Sequence, residues 1–395
     1  MKTRKNVKWG LLAMMMAVSL NSSANDGVYY ASGSHLIPLA ETDIAIKKEV
    51  LTISIGDDGY ASVDVQYEFQ NKGNAKTVTM GFEAGCPYND GEPFNAKGIH
   101  PYIKDFSATM NNQRLTYSNG VVKRQYGEEG DFTPLDLTVW REPRSTDPES
   151  ERGEDHELYN PKTHEYTTYA YVYFFKANFK QGVNTIHHTY RYRMSNGVGR
   201  SFEIPYWLTP AMRWANSQID DFTLIIKAEN TTKHFVVDCS IMDYNNFRIT
   251  SGKGKKRIVT GNFDEANMLE VVLRNGTLEW HGSNFKPTED LNINSMDVMF
   301  ERPVDSFLYY DSGPGFYFYF GEHDFFKKYG LDYKDEKAIK RLLRNLPYAH
   351  RGYVFKDALL KKIFSEQWWY MPDPSWTPTN NSFFPHEQQF IKDNQ

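Results

Sequence analysis

The residues of this chain that could do chemistry are 11 histidines, 2 cysteines, 50 carboxylates and a heavy load of aromatic rings. His187 and His188 are adjacent in an alternating stretch. Their rings therefore face opposite sides of a strand and cannot chelate one metal. His156 and His164, with Asp155 and Glu157 beside them, match no metal-site spacing. His323-Asp324 offers an imidazole next to a carboxylate, but no nucleophile accompanies the pair. Asp57-Asp58-Gly59 lacks the further acids of a calcium loop and reads as a turn. Gly252-Lys253-Gly254-Lys255-Lys256-Arg257 lacks the spacing of a phosphate cradle and reads as a basic hairpin tip; contact with an anionic polymer or headgroups is the alternative. No metal, no cofactor and no catalytic set is expected.

Cys86 and Cys239 are the only cysteines. In an oxidising compartment two thiols can pair, and closing so long a loop would stabilise the fold by roughly 2–5 kcal/mol. Unless the fold brings them together they stay separate. The aromatic set is 26 Phe, 26 Tyr and 8 Trp. Trp368, Trp369, Tyr370 and Trp376 lie in a proline-rich tail downstream of His350 and Arg351. Two roles suit them. Exposed rings beside a cation make a platform for sugars or partner peptides. Buried rings supply the core that a small module needs.

The elements that must position these residues begin with an address. Lys2, Arg4, Lys5 and Lys8 precede an apolar run from Leu11 to Leu20, followed by Ser22-Ser23-Ala24. This is the order of a secretory signal peptide over residues 1–24, cut after Ala24. Its apolar run is too short to span a bilayer, which takes about 20 residues. The expected location is periplasmic or extracellular, with no transmembrane segment in the mature chain. With 45 Lys+Arg against 50 Asp+Glu, the balance lacks the basic face that nucleic acid requires.

Residues 25–302 read as a β-sandwich region. Leu51, Ile53 and Ile55 alternate with polar residues, Gly56–Gly59 turn the chain, and Ala61, Val63, Val65, Tyr67 and Phe69 alternate again. Similar patterns recur, with Tyr169–Phe179 apolar enough on both faces to be central. Many short antiparallel strands predict two packed sandwiches. Residues 141–165 hold eight acids and almost nothing apolar, and read as a long mobile surface loop. Residues 303–331 read as an aromatic linker. Residues 332–395 turn helical. Asp332 is placed to cap a first helix that Pro347 ends or kinks, Asp357 to cap a second, and Pro385 to open a third.

Leu343-Arg344-Asn345, then Tyr348-Ala349-His350-Arg351-Gly352-Tyr353-Val354-Phe355, Leu360, Phe364 and Trp369-Tyr370 carry a resemblance to the YARHG domain, a bacterial extracytoplasmic module. Here the signature's Arg-His order is swapped, and Pro347 stands where an aliphatic residue is usual. The swap favours a structural role for Tyr348, Ala349, His350, Arg351, Gly352 and Tyr353. The β region resembles an uncharacterised family of exported bacterial β proteins. That likeness lies in Asn25-Asp26, Tyr67–Asn71, Phe179–Tyr190 and Tyr206–Trp214. Neither resemblance implies an activity. The reading is a mainly β exported protein with a small helical C-terminal module. It is expected to bind an envelope polymer or protein without catalysis; a secreted hydrolase of cell-wall or glycan material and a purely structural envelope component are the alternatives.

Overall fold

The computed structural model describes residues 33–34, 36–38, 43–86, 94–124, 134–148, 157–197, 200–260, 267–295, 307–311, 317–321, 324–332, 334–379 and 381–395. The leader at 1–24, Asn25-Asp26, Asp155, His156 and His323 lie outside them.

Period-two patterning produces thirteen main strands: β1 (Ile44–Ile55), β2 (Tyr60–Asn71), β3 (Lys76–Gly85), β4 (Ile103–Met110), β5 (Tyr117–Arg124), β6 (Glu157–Asn160), β7 (Glu165–Phe179), β8 (Gly182–Arg193), β9 (Arg200–Trp207), β10 (Ile219–Asp238), β11 (Arg248–Thr260), β12 (Asn267–Phe285) and β13 (Leu291–Ser295). The main path of the larger, 12-stranded sheet contains β9-β13-β10-β1-β2-β8-β4, while β12 joins β10 to β11. The smaller sheet has β7 at its centre, between β3 and β5, with β6 also paired to β7. Pairing is antiparallel except where β10 runs parallel to β1 and Gly33–Ser34 runs parallel to β9.

The apolar faces of the two sheets meet in one core. Phe82 of the small sheet touches Phe106 and Tyr190 of the large one, with ring centres 5.0 and 4.6 Å apart. Phe179 meets Phe69 edge-on at 5.6 Å. His188 sits fully buried in this core, stacked between Tyr67 and Tyr190. Such ring pairs add to the burial that drives the sheets together.

Several sequence expectations need correction. Cys86 and Cys239 are both free thiols. Cys86 lies beside Tyr169, whereas Cys239 is buried near Glu289, where burial pushes its thiol well above the usual range. The acidic 141–165 stretch is folded at both described ends. Arg141 grips Asp147 with two hydrogen bonds of 2.7 and 2.8 Å. The Arg141 backbone bridges to Tyr159, and Leu158 and Tyr159, both on β6, are buried. The intervening 149–156 are outside the described residues. His164 closes the β6–β7 turn with φ of 60°, and its Nδ1 meets the Tyr159 hydroxyl at 2.8 Å. In the aromatic 303–331 segment, Phe307–Asp311 and Tyr317–Gly321 pair as a two-stranded hairpin.

The C-terminal helices are α1 (Asp324–Lys328), α2 (Glu336–His350), α3 (Ala358–Ser365) and α4 (Pro385–Asp393). Asp335, not Asp332, caps α2, accepting from the Lys337 and Ala338 amides at 3.0 and 3.2 Å. Pro347 does not end α2. It falls in the last turn, where one missing hydrogen bond is tolerated because a strong C-cap closes the helix after it. Asp357 caps α3 by accepting from Leu360 N at 2.9 Å.

Candidate functional site

The signature residues sit where α2 stops. Gly352 has φ of 83°, a left-handed conformation that costs glycine nothing. Its amide donates to Ala349 O at 2.9 Å and the Tyr353 amide to Tyr348 O at 3.0 Å. These two bonds form a Schellman cap. The turned chain lies against β10, β12 and β11. On these strands one face is apolar, with Phe235, Val237, Leu269, Val271 and Leu273 in the sandwich core. The opposite face carries His234, Glu270, Val272 and Arg274, all buried under the helices.

Ion pairs and backbone carbonyls fasten this junction. Arg274 Nη2 donates to Met371 O at 2.9 Å, and Nη1 to His350 O at 3.5 Å. Thr232 Oγ1 donates to the same His350 carbonyl. Glu270 accepts from Arg257 Nε at 2.5 Å and contacts His234 Nε2 at 2.7 Å. Burial opposes ionisation of Glu270, yet those two partners hold its carboxyl below the usual range. The basic run 252–257 is therefore no free hairpin tip. Lys255 donates to the Trp368 and Tyr370 carbonyls, both at 3.0 Å, and Lys253 pairs with Asp373 at 3.0 Å. Arg257 stacks over the Trp368 ring at 4.4 Å.

Arg351 is buried and forks onto Glu387, with Nη1–Oε1 2.7 Å and Nη2–Oε2 2.5 Å. It also donates to Pro347 O at 3.2 Å. Glu387 Oε2 in turn accepts from Phe384 N at 2.8 Å, so one carboxylate links the end of α2 to the start of α4. Trp369 and Tyr370 are buried among Phe355, Phe364 and their neighbours, and the Tyr370 hydroxyl donates to Tyr353 O at 2.7 Å. Ala349 is buried; Tyr348, Tyr353, Trp368 and Trp376 are half-buried. Tyr348 and Trp376 pack against Phe383 at 4.6 and 6.3 Å. The structure thus gathers Trp368, Trp369, Tyr370, Trp376 and Arg351 into the packing of the module.

Burial, together with the nearby Arg351, His234, Lys233 and Arg274 side chains, pushes the His350 imidazole down to about 3. Its folded value is depressed, so the unfolded chain binds the proton first. Stability from this site is fully present above about pH 6.5 and is lost as pH falls toward 3, by at most ~1.4 kcal/mol per pH unit. Urea midpoints of wild type should drop between pH 7 and pH 4.5, and His350→Gln should flatten part of that drop. An unchanged slope would remove His350 from the acid response.

A second feature was not legible in the sequence. On the solvent face of the large sheet, a groove of about 500 Å³ is lined by Thr52, Ser54, Ser62, Asp64, Gln66, Asp105, Thr189, Arg191 and Lys227 among others. Register explains its shape. Lys227, Ser54, Ser62 and Arg191 are consecutive cross-strand neighbours from β10 through β1 and β2 to β8. Thr52, Asp64, Thr189 and Ser107 form a second row across β1, β2, β8 and β4. Short hydroxyl side chains make a low floor around Asp64, and Lys227 and Arg191 stand at the two ends of the first row. Asp64 is set by His187 Nε2 at 3.0 Å, and Arg191 is tied to Asp58 at 2.6 Å. Asp105 lies at the irregular β4–β8 register, with φ of 55°. A non-glycine residue held there marks local strain of about 1–3 kcal/mol, a feature that clusters at functional sites. Among the described residues, no group of three or more His, Cys, Asp or Glu could hold a metal. No helix among them is long and apolar enough to cross a membrane.

Residues 324–394 match the YARHG domain. No curated protein matches the chain. Among solved structures, one from Legionella pneumophila, for which a nutrient-binding role has been suggested, is similar over 94% of this chain and 100% of its own, at 18% identity and TM-score 0.47. An M1 zinc metallopeptidase from Deinococcus radiodurans is similar over 65% of this chain and 43% of its own, at 7% identity and TM-score 0.23. Baculovirus P35 is similar over 66% of this chain and 99% of its own, at 9% identity and TM-score 0.22.

Proposed function

We propose that this is an exported, non-enzymatic binding protein of the cell envelope, led out by residues 1–24 and cut after Ala24. Its YARHG module serves as a fixed structural cap, and its partner, an envelope polymer or protein, lies in the groove on the large sheet. The observation that carries this reading is the contrast between the two surfaces. The cations and rings of the module are engaged with its own carbonyls, carboxylates and side chains. The groove instead offers half-buried hydroxyls and charged rims on a rigid sheet. Rigid elements hold a binding surface with little loss on ordering.

The test is retention of envelope extract by the immobilised mature chain and by Ser62→Arg, which fills the groove floor. The expected result is a partner held by wild type and released by Ser62→Arg at unchanged melting temperature. Equal retention by both would move the binding surface elsewhere.

A further inference from the structure

Lys227 and Asp105 differ from the other charged groups of the groove. Asp64 and Arg191 are engaged by His187 and Asp58. Lys227 and Asp105 make no hydrogen bond or ion pair among the described residues. They stand at opposite ends of the trough. Lys227 is on β10 and Asp105 on β4, and the path between them crosses β1, β2 and β8. Four strand spacings of ~4.8 Å separate them by roughly 19 Å. Between the two ends lie the hydroxyls of Ser54, Ser62, Thr52 and Thr189 and the Gln66 amide, with Asp64 and Arg191 standing among them on β2 and β8. Hydroxyls and an amide both donate and accept, as needed along a chain of peptide groups.

From this geometry we infer that the groove takes a short extended peptide with free ends, its carboxylate at Lys227 and its ammonium at Asp105. It rests on the binding reading above. At about 3.3 Å per residue, roughly 19 Å holds about six residues. A glycan is the poorer fit, because among the described residues at the groove no ring face is open to stack on a sugar. Tyr190 is buried, and Tyr60 beside the groove is covered by Lys104 at 4.0 Å and Arg191 at 5.3 Å. Opposite unpaired charges at the two ends also complement a zwitterionic chain rather than a uniformly charged polymer.

The test is titration calorimetry of the mature chain with the hexapeptide Ala-Gly-Ser-Ala-Gly-Ser. The free-ended form, the N-acetylated form, the C-amidated form and a chitin hexasaccharide are compared. The free-ended peptide should bind, and each blocked end should weaken it about tenfold. Acetylation should have no further effect on Asp105→Asn, a change that suits the left-handed backbone there. Amidation should likewise have no effect on Lys227→Gln. This crossed pattern is one that a merely structural role could not produce. Equal binding of free and blocked peptides, binding of the hexasaccharide alone, or no binding of either would overturn the peptide assignment. The retention experiment with Ser62→Arg judges the binding reading separately, since it does not depend on ligand class.

Discussion

Arg351→Ala should cost about 3–5 kcal/mol of stability, the usual penalty for removing one partner of a buried ion pair. The side chain is 8% exposed and its Glu387 partner 2%. Truncation leaves the Glu387 carboxylate buried without its cation. It also removes the donor to Pro347 O and the cation packed 4.8 Å from the Phe383 ring centre. Arg351→Met with Glu387→Met should recover most of the loss, because an apolar pair needs no desolvated charge. Urea denaturation of the two variants checks this. A single variant within about 0.5 kcal/mol of wild type, as a surface substitution gives, would contradict the buried pair. Arg351 touches one of the last carbonyls of α2, but its main partner lies 36 positions downstream.

Gly352→Ala should cost roughly 2–4 kcal/mol, combining left-handed strain with overpacking. A β-carbon at this position would sit 2.5 Å from Met371 O and closer still to Arg274 Nη1. Neither neighbour can easily yield, since Arg274 is itself bonded to that carbonyl at 2.9 Å. Melting temperature and the fraction of module protected from protease should fall together. A variant that melts like wild type would mean the backbone can leave the left-handed region without loss.

Much of this was readable from local pattern. The β1–β2 hairpin follows alternation and its glycine turn, and the Asp357 cap and the positive φ of Gly352 follow from residue type and position. What stayed hidden depends on contacts distant in sequence. Glu270 and Arg274 alternate with core residues, so they read as a wet strand face until the C-terminal helices are seen to cover them. Val272 between them was the available signal, an apolar residue on the supposedly polar face. The groove was illegible because its shape needs the register of five strands, and Ser54 or Thr52 alone looks like any solvent-facing residue. Asp332 and Asp335 are both of a type that caps, and only the exact helix start decides between them.

Native-state hydrogen exchange on the whole chain tests most directly whether the YARHG signature locks the helical module to the sheet instead of serving as a recognition surface. The amides of Gly352, Tyr353 and Asp373 donate to Ala349, Tyr348 and Gly352 carbonyls at 2.9, 3.0 and 2.7 Å. They should exchange as slowly as the amides of β10 and β12, opening only with the fold as a whole. Exchange at these three positions within seconds, while β10 and β12 stay protected, would contradict it.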